Sequence, residues 1–167
     1  MVEHTDLDEV WFVVSPQNPF KKNNNLLHEF DRLEMVRQAV HDDYKFKASD
    51  VEFNMPRPSY TIDTLTWLSE KNKDKEFVLI IGEDNLAQFP RWKNYETILE
   101  YYSLYVYPRQ DSEPSELKNH PKVKWVSAPM IDISATFIRK CVTEGKSIRY
   151  MVPDSVENYI KDHKFYI

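Results

Sequence analysis

The sequence predicts an α/β fold in which a parallel sheet is covered by helices on both faces. Short, nearly continuous apolar runs alternate along the chain with stretches whose apolar residues recur every three or four positions. The chain has 167 residues, 41% of them apolar and 14% aromatic, enough for one domain around one substantial core. In such sheets ligands sit beyond the carboxyl ends of the strands, so those ends are where function is sought.

The elements follow in order. Glu9 to Val14 is an apolar run closed by Ser15-Pro16 and reads as a strand buried on both faces. After a polar loop from Gln17 to Asn25, Phe30, Leu33, Val36 and Val40 mark one face of a helix over His28 to His41. Tyr44 to Phe53 is weakly strand-like. Pro56-Arg57-Pro58 interrupts the chain, and Ile62, Leu65 and Leu68 then mark a second helix ending near Lys71. Phe77 to Ile81 is the strongest strand signal and ends at Gly82; a short helical or turn segment with Phe89-Pro90-Arg91-Trp92 follows. Ser103 to Tyr107 and Val123 to Val126 are two further strands, separated by a polar loop over 111–118. Thr136 to Thr143 reads as a helix with Ser134 as its N-cap and Gly145 just past its end. A last helix begins at Pro153 and buries Val156, Tyr159 and Ile160.

Composition excludes several functions. The 22 Lys and Arg against 27 Asp and Glu leave a net charge of −5, which argues against broad nucleic-acid or membrane-surface binding. Only two glycines occur, Gly82 and Gly145, so neither a Walker-type loop nor a Gly-x-Gly-x-x-Gly turn is present. One cysteine, Cys141, permits no internal disulfide and reads as a small core residue; a reducing, cytoplasmic setting is expected. The N-terminal residues lack the pattern of a signal peptide, and the chain holds no membrane-length apolar stretch. His4, His28, His41, His120 and His163 are scattered and show no metal-ligand spacing.

Ile133-Ser134-Ala135-Thr136-Phe137-Ile138-Arg139 places hydroxyls at a helix start and an arginine one turn inside it. Free backbone N–H groups, the helix dipole and a guanidinium converge there on an anion such as a phosphate. Taken alone, the segment reads more simply as a capped helix with a surface arginine. Gly82 and Asp84 follow the strongest strand, where a glycine permits close backbone approach and a carboxylate accepts hydrogen bonds from ribose hydroxyls; both are also ordinary turn residues.

The segment from Ile133 to Arg139 resembles the Ile-Ser-x-Thr-x-Ile-Arg signature of the nucleotidyltransferase superfamily. Asn18-Pro19-Phe20-Lys21, Glu29 to Met35, Pro58 to Leu65, Ile80-Ile81-Gly82-Glu83-Asp84, Trp92 and the ending from Val152 to Ile160 are together similar to nicotinate-nucleotide adenylyltransferases, a likeness covering essentially the whole chain. The resemblance implies a Rossmann-like sheet and transfer of AMP from ATP, with Mg2+, to nicotinate mononucleotide, giving deamido-NAD and pyrophosphate. It implies catalytic roles for Ser134, Thr136 and Arg139, and ATP contacts from Gly82, Asp84, Ser134, Thr136, Phe137 and Arg139. It further implies that Trp92 stacks on the pyridine ring, that Thr61 and Thr64 help hold the nicotinate carboxylate, and that Lys21 reaches phosphate while Arg32 braces its loop. Trp92 as a packing residue and Thr61 and Thr64 as capping or packing residues remain the alternatives.

Family members begin with a strand followed by Gly-x-Phe-Asp/Asn-Pro-x-His-x-Gly-His, whose histidines contact ATP phosphates; this sequence has no counterpart, and Met1 to His4 resembles the end of the helix that follows. The expectation is therefore a single domain over 1–167, N-terminally incomplete, with its first, central strand absent between Val10–Val14 and Phe77–Ile81, and with Met1 internal to a longer protein. Two alternatives stay open: a catalytically impaired nucleotide-binding protein of the same fold, and a sister adenylyltransferase acting on nicotinamide mononucleotide.

Overall fold

Five short strands, all parallel, and six α-helices occur among the described residues of the computed structural model, which are 1–16, 26–110, 112–127, 129 and 131–167. The chain divides into two compact units, one formed by Met1–Leu7 with Ser59–Met130 and the other by Asp8–Pro58 with Ile131–Ile167.

In the first unit, β3 (Val78–Gly82), β4 (Ser103–Tyr107) and β5 (Val123–Trp125) form a sheet in the order β3-β4-β5. The register sets Gly82 opposite Tyr107, so the loops leaving β3 and β4 start side by side. Helices α2 (Thr61–Lys71), α3 (Glu83–Gln88) and α4 (Tyr95–Tyr101) complete the unit. Leu86, Phe89, Ile98, Leu104 and Val106 are completely buried in its core, with Ile62 and Leu65 of α2 beside them. The sequence reading missed α4. Its N-cap Asn94 is left-handed (φ 51°), and its buried residues Ile98 and Leu99 are adjacent, so seven residues carry no helical stripe.

In the second unit, β1 (Val10–Val13) pairs with β2 (Phe46–Ser49) in a two-stranded sheet among the described residues. The helices are α1 (Glu29–Val40), α5 (Ala135–Thr143) and α6 (Asp154–Asp162). Cys141, Ile148, Val156 and Ile160 form its core, joined by Met35 and Ile138. Cys141 is thus the buried small residue expected. Two expectations need correcting. The first strand is not buried on both faces: Phe12 is 43% exposed, its ring 6.0 Å from that of Phe46. The stripe on α1 is also partial, since Leu33 is buried but Phe30 is 60% exposed, resting on His28 and Phe53 over the first turn. Among the described residues β1 and β3 are each an end strand of their own sheet.

Candidate functional site

The start of α5 is built as its sequence predicts. Ser134 has extended backbone, and its Oγ accepts the Phe137 N–H at 3.1 Å, satisfying one of the helix's free donors. The N–H groups of Ala135 and Thr136 remain in an exposed first turn. Arg139 donates to Thr136 Oγ1 at 3.1 Å, which folds the guanidinium back toward that turn. Phe137 is 49% exposed and Ile138 anchors the helix in the core of its unit. The helix ends with Gly145 at φ 66°, the Gly145 N–H bonded to Val142 O and the Lys146 N–H to Cys141 O, the paired closure that glycine beyond a helix end permits. Ser134, Thr136, Phe137 and Arg139 are therefore brought together, with cation, hydroxyls and helix dipole at one end.

Other parts of this unit support Arg139. Thr143, one turn further on, donates its hydroxyl to Tyr166 O at 2.7 Å and so binds the C-terminal segment along α5. Burial raises the pKa of the Tyr166 phenol, while the charges of Arg139 and Arg32 pull it down; both guanidiniums lie within electrostatic reach. Arg32 donates to Pro16 O and Leu27 O, at 3.1 Å each, and so ties the two flanks of the loop that follows β1, the bracing role expected. Its own pKa is lowered, burial being the main cause. Lys21 lies outside the described residues.

In the first unit, Gly82 ends β3 with an ordinary extended conformation (φ −77°, ψ 157°), so no backbone strain requires glycine. What glycine leaves free is space that the exposed Asp84 side chain occupies and that a methyl would force it to leave. A Cβ there would collide with the Asp84 carboxylate and lie 3.3 Å from both Arg109 Nε and Tyr107 Oη. Arg109 Nε is 3.9 Å from Asp84 Oδ1, its guanidinium sits 5.2 Å over the Tyr107 ring and donates to the Tyr107 hydroxyl at 3.3 Å, and its N–H donates to Glu83. The space over Gly82, expected to admit a ligand directly, is lined by the protein's own polar groups. Pro108-Arg109 is among the strand-end segments where the sequence places function, but neither a role for Arg109 nor the part played by Tyr107 was readable there.

Trp92 follows the turn of Phe89–Arg91 and is half-buried, its ring 5.1 Å from Phe89. Thr61 opens α2 and is half-buried too. Lys93 joins these segments: its Nζ is 2.9 Å from Asp63 and 4.4 Å over the Tyr60 ring, so it grips the residues on either side of Thr61 and Ile62. Thr64 departs from this pattern. It is buried, at 4% exposure, and its hydroxyl back-bonds to Tyr60 O at 3.3 Å, which makes it a packing and helix-start residue. Among the described residues no group of three or more His, Cys, Asp or Glu side chains gathers to hold a metal ion, and no helix is long and apolar enough to cross a membrane.

Residues 1–141 match the family described as Cytidylyltransferase-like, which fixes the class as that of the cytidylyltransferase-like nucleotidyltransferases. A probable nicotinate-nucleotide adenylyltransferase of Cytophaga hutchinsonii is 61% identical over 166 residues, 99% of this chain and 86% of that protein. One of the same name from Flavobacterium johnsoniae is 50% identical, over 99% of this chain and 87% of its own length. A Plasmodium falciparum nicotinic acid mononucleotide adenylyltransferase complexed with NaAD shares the fold with a TM-score of 0.76 at 20% identity, covering 95% of this chain and 82% of that one. The chain belongs to the nicotinate-nucleotide adenylyltransferase family, and its parallel sheets flanked by helices have that Rossmann-like fold.

Proposed function

We propose that this protein transfers AMP from ATP to nicotinate mononucleotide, forming deamido-NAD and releasing pyrophosphate. The observation that carries the reading is the exposed first turn of α5, where Ser134 caps the helix and Arg139 is folded back on Thr136. Relatives of 61% and 50% identity carry the matching name, and a neighbour of the same fold holds NaAD.

In the reaction a phosphate oxygen of nicotinate mononucleotide attacks the α-phosphorus of ATP. A new phosphoanhydride P–O bond forms as the bond from the α-phosphorus to the bridging oxygen breaks, and the electron pair leaves with pyrophosphate. The nucleophile is already anionic at neutral pH, so no protein base has to remove a proton. The protein's work is to orient the two phosphates and stabilise charge that grows on the departing oxygens. We assign that charge stabilisation to Arg139 and the free N–H groups of α5, with Ser134 and Thr136 holding their geometry.

Asp84 is assigned to ATP ribose hydroxyls, Gly82 and Phe137 to the same nucleotide, and Trp92 and Thr61 to the pyridine ring and its carboxylate. Lys21 keeps a phosphate role in this proposal and Thr64 the indirect one of setting the α2 start. Mg2+ enters as the Mg–ATP complex, with phosphates and water supplying most of its ligands. Residues 1–167 belong to a single nucleotidyltransferase domain that acts in the cytoplasm, with no nucleic acid or membrane as partner.

Mass spectrometry of the dinucleotide product, with nicotinate and nicotinamide mononucleotide in competition, tests this. Deamido-NAD as the main product, with Arg139→Ala lowering kcat/KM by about 100-fold or more and leaving the circular dichroism unchanged, is expected. NAD as the main product, or an Arg139→Ala enzyme of ordinary activity, overturns it.

A further inference from the structure

Arg109 is half-exposed, lies just beyond the end of β4 and carries no role in the reading above, yet its side chain is held by Tyr107 and Asp84 and its backbone by Glu83. Its guanidinium is stacked over the Tyr107 ring at 5.2 Å, donates to the Tyr107 hydroxyl at 3.3 Å and faces Asp84 Oδ1 from Nε at 3.9 Å, while its backbone N–H donates to Glu83 Oε2 at 3.3 Å. An arginine in solvent has no reason to be held this way, because ordering its long side chain costs entropy that one exposed ion pair barely offsets. The register explains how it is done. Tyr107 lies opposite Gly82, so the stacked guanidinium is delivered over the end of β3, into space left by the missing Cβ.

We infer that Arg109 is a positioning residue for the nucleotide ribose: supported on Tyr107, it sets the orientation of the Asp84 carboxylate over Gly82 so that both carboxylate oxygens are aimed at hydroxyl donors. The inference rests on the assignment of Asp84 to the ribose. A carboxylate 58% exposed and free to rotate samples several rotamers; a planar cation on one side selects among them. Arg109 acts on the substrate through Asp84, and its effect appears as discrimination between ribose and sugars lacking a hydroxyl.

The experiment measures kcat and KM for ATP, 2′-deoxy-ATP and 3′-deoxy-ATP in the full protein and in Arg109→Ala, Arg109→Lys, Tyr107→Phe and Asp84→Asn. Expected for Arg109→Ala is a KM for ATP raised about two- to fivefold, little change in kcat, and a reduced preference for ATP over the deoxy analogue that Asp84→Asn also fails to reject. Tyr107→Phe, which deletes only a hydroxyl, gives a smaller shift in the same direction. Arg109→Lys falls between, since lysine keeps the charge and loses the planar stack. If Asp84→Asn loses the discrimination and Arg109→Ala keeps it, the inference is wrong and the ribose assignment stands. If Asp84→Asn itself discriminates as the unaltered protein does, the assignment falls and the inference with it.

Discussion

Replacing Gly82 with alanine separates site from scaffold. The backbone at Gly82 is extended (φ −77°, ψ 157°), which any residue adopts, and the change also narrows the unfolded ensemble, a stabilising contribution of about 0.4–1 kcal/mol. Against this stands the collision of the new methyl with the Asp84 carboxylate. Asp84 is 58% exposed and free to swing away, at the expense of its pair with Arg109, an exposed interaction worth about 0.2–1 kcal/mol. The two effects nearly cancel, so the melting temperature should stay within about 4 °C of the unaltered protein's. Activity does not cancel. A displaced Asp84 no longer meets the ribose, and the loss of a charged hydrogen bond of about 1.5–3 kcal/mol raises the KM for ATP by roughly tenfold or more. Calorimetry beside initial rates at varied ATP reads both numbers. An unchanged KM would refute the placing of nucleotide over Gly82. So would a melting temperature lowered by about 10 °C with KM unaltered, because glycine would then serve packing alone.

Three further outcomes follow from the geometry. Ser134→Ala should destabilise the protein by about 1 kcal/mol and depress kcat/KM for ATP, whereas Ser134→Thr keeps the cap and most of both; a denaturant titration that finds no loss in Ser134→Ala contradicts the cap. Trp92→Ala should raise the KM for nicotinate mononucleotide by about tenfold and leave that for ATP nearly unchanged; a fall in stability alone would make Trp92 a packing partner of Phe89. The cluster of Asp6, Tyr105 and Lys124 should bend the stability profile at both ends of the pH range. The Tyr105 hydroxyl, 2.5 Å from Asp6, and then Lys124 hold the Asp6 pKa below its usual 3.8, so that contribution is present above pH 3.8 and is lost as the pH falls through the folded value. Burial, and next the bond to Asp6, raise Tyr105 above 10.0, and hydrogen bonds to Tyr105 and Asp6 raise Lys124 above 10.5, so their contributions vanish only as the pH climbs past those values. Urea midpoints across pH should show Asp6→Asn with a flatter acid limb; an identical limb would remove the cluster from the account.

What could be read in advance was what is local. The cap at Ser134, the closing glycine at Gly145 and the run of β3 each depend on neighbours within a few residues, and the structure has all three. The grouping of Ser134, Thr136 and Arg139, proposed to meet phosphate, was legible for the same reason: one helix turn carries it. Contacts made by strand register were not. Arg109 meets Asp84 from 25 positions away because β4 lies beside β3. For Thr64 the sequence left two roles open, because a threonine one turn into a helix can face a ligand or its own backbone, and its hydroxyl bonds to Tyr60 O. The exposure of Phe12 was likewise invisible, since an apolar run does not say which of its residues will be covered.

The central claim is the transfer reaction itself, and pyrophosphate release tests it most directly. With ATP, Mg2+ and nicotinate mononucleotide together, the account predicts one pyrophosphate for each deamido-NAD formed and none when either nucleotide is withheld. Pyrophosphate released from ATP at the same rate without nicotinate mononucleotide would contradict it.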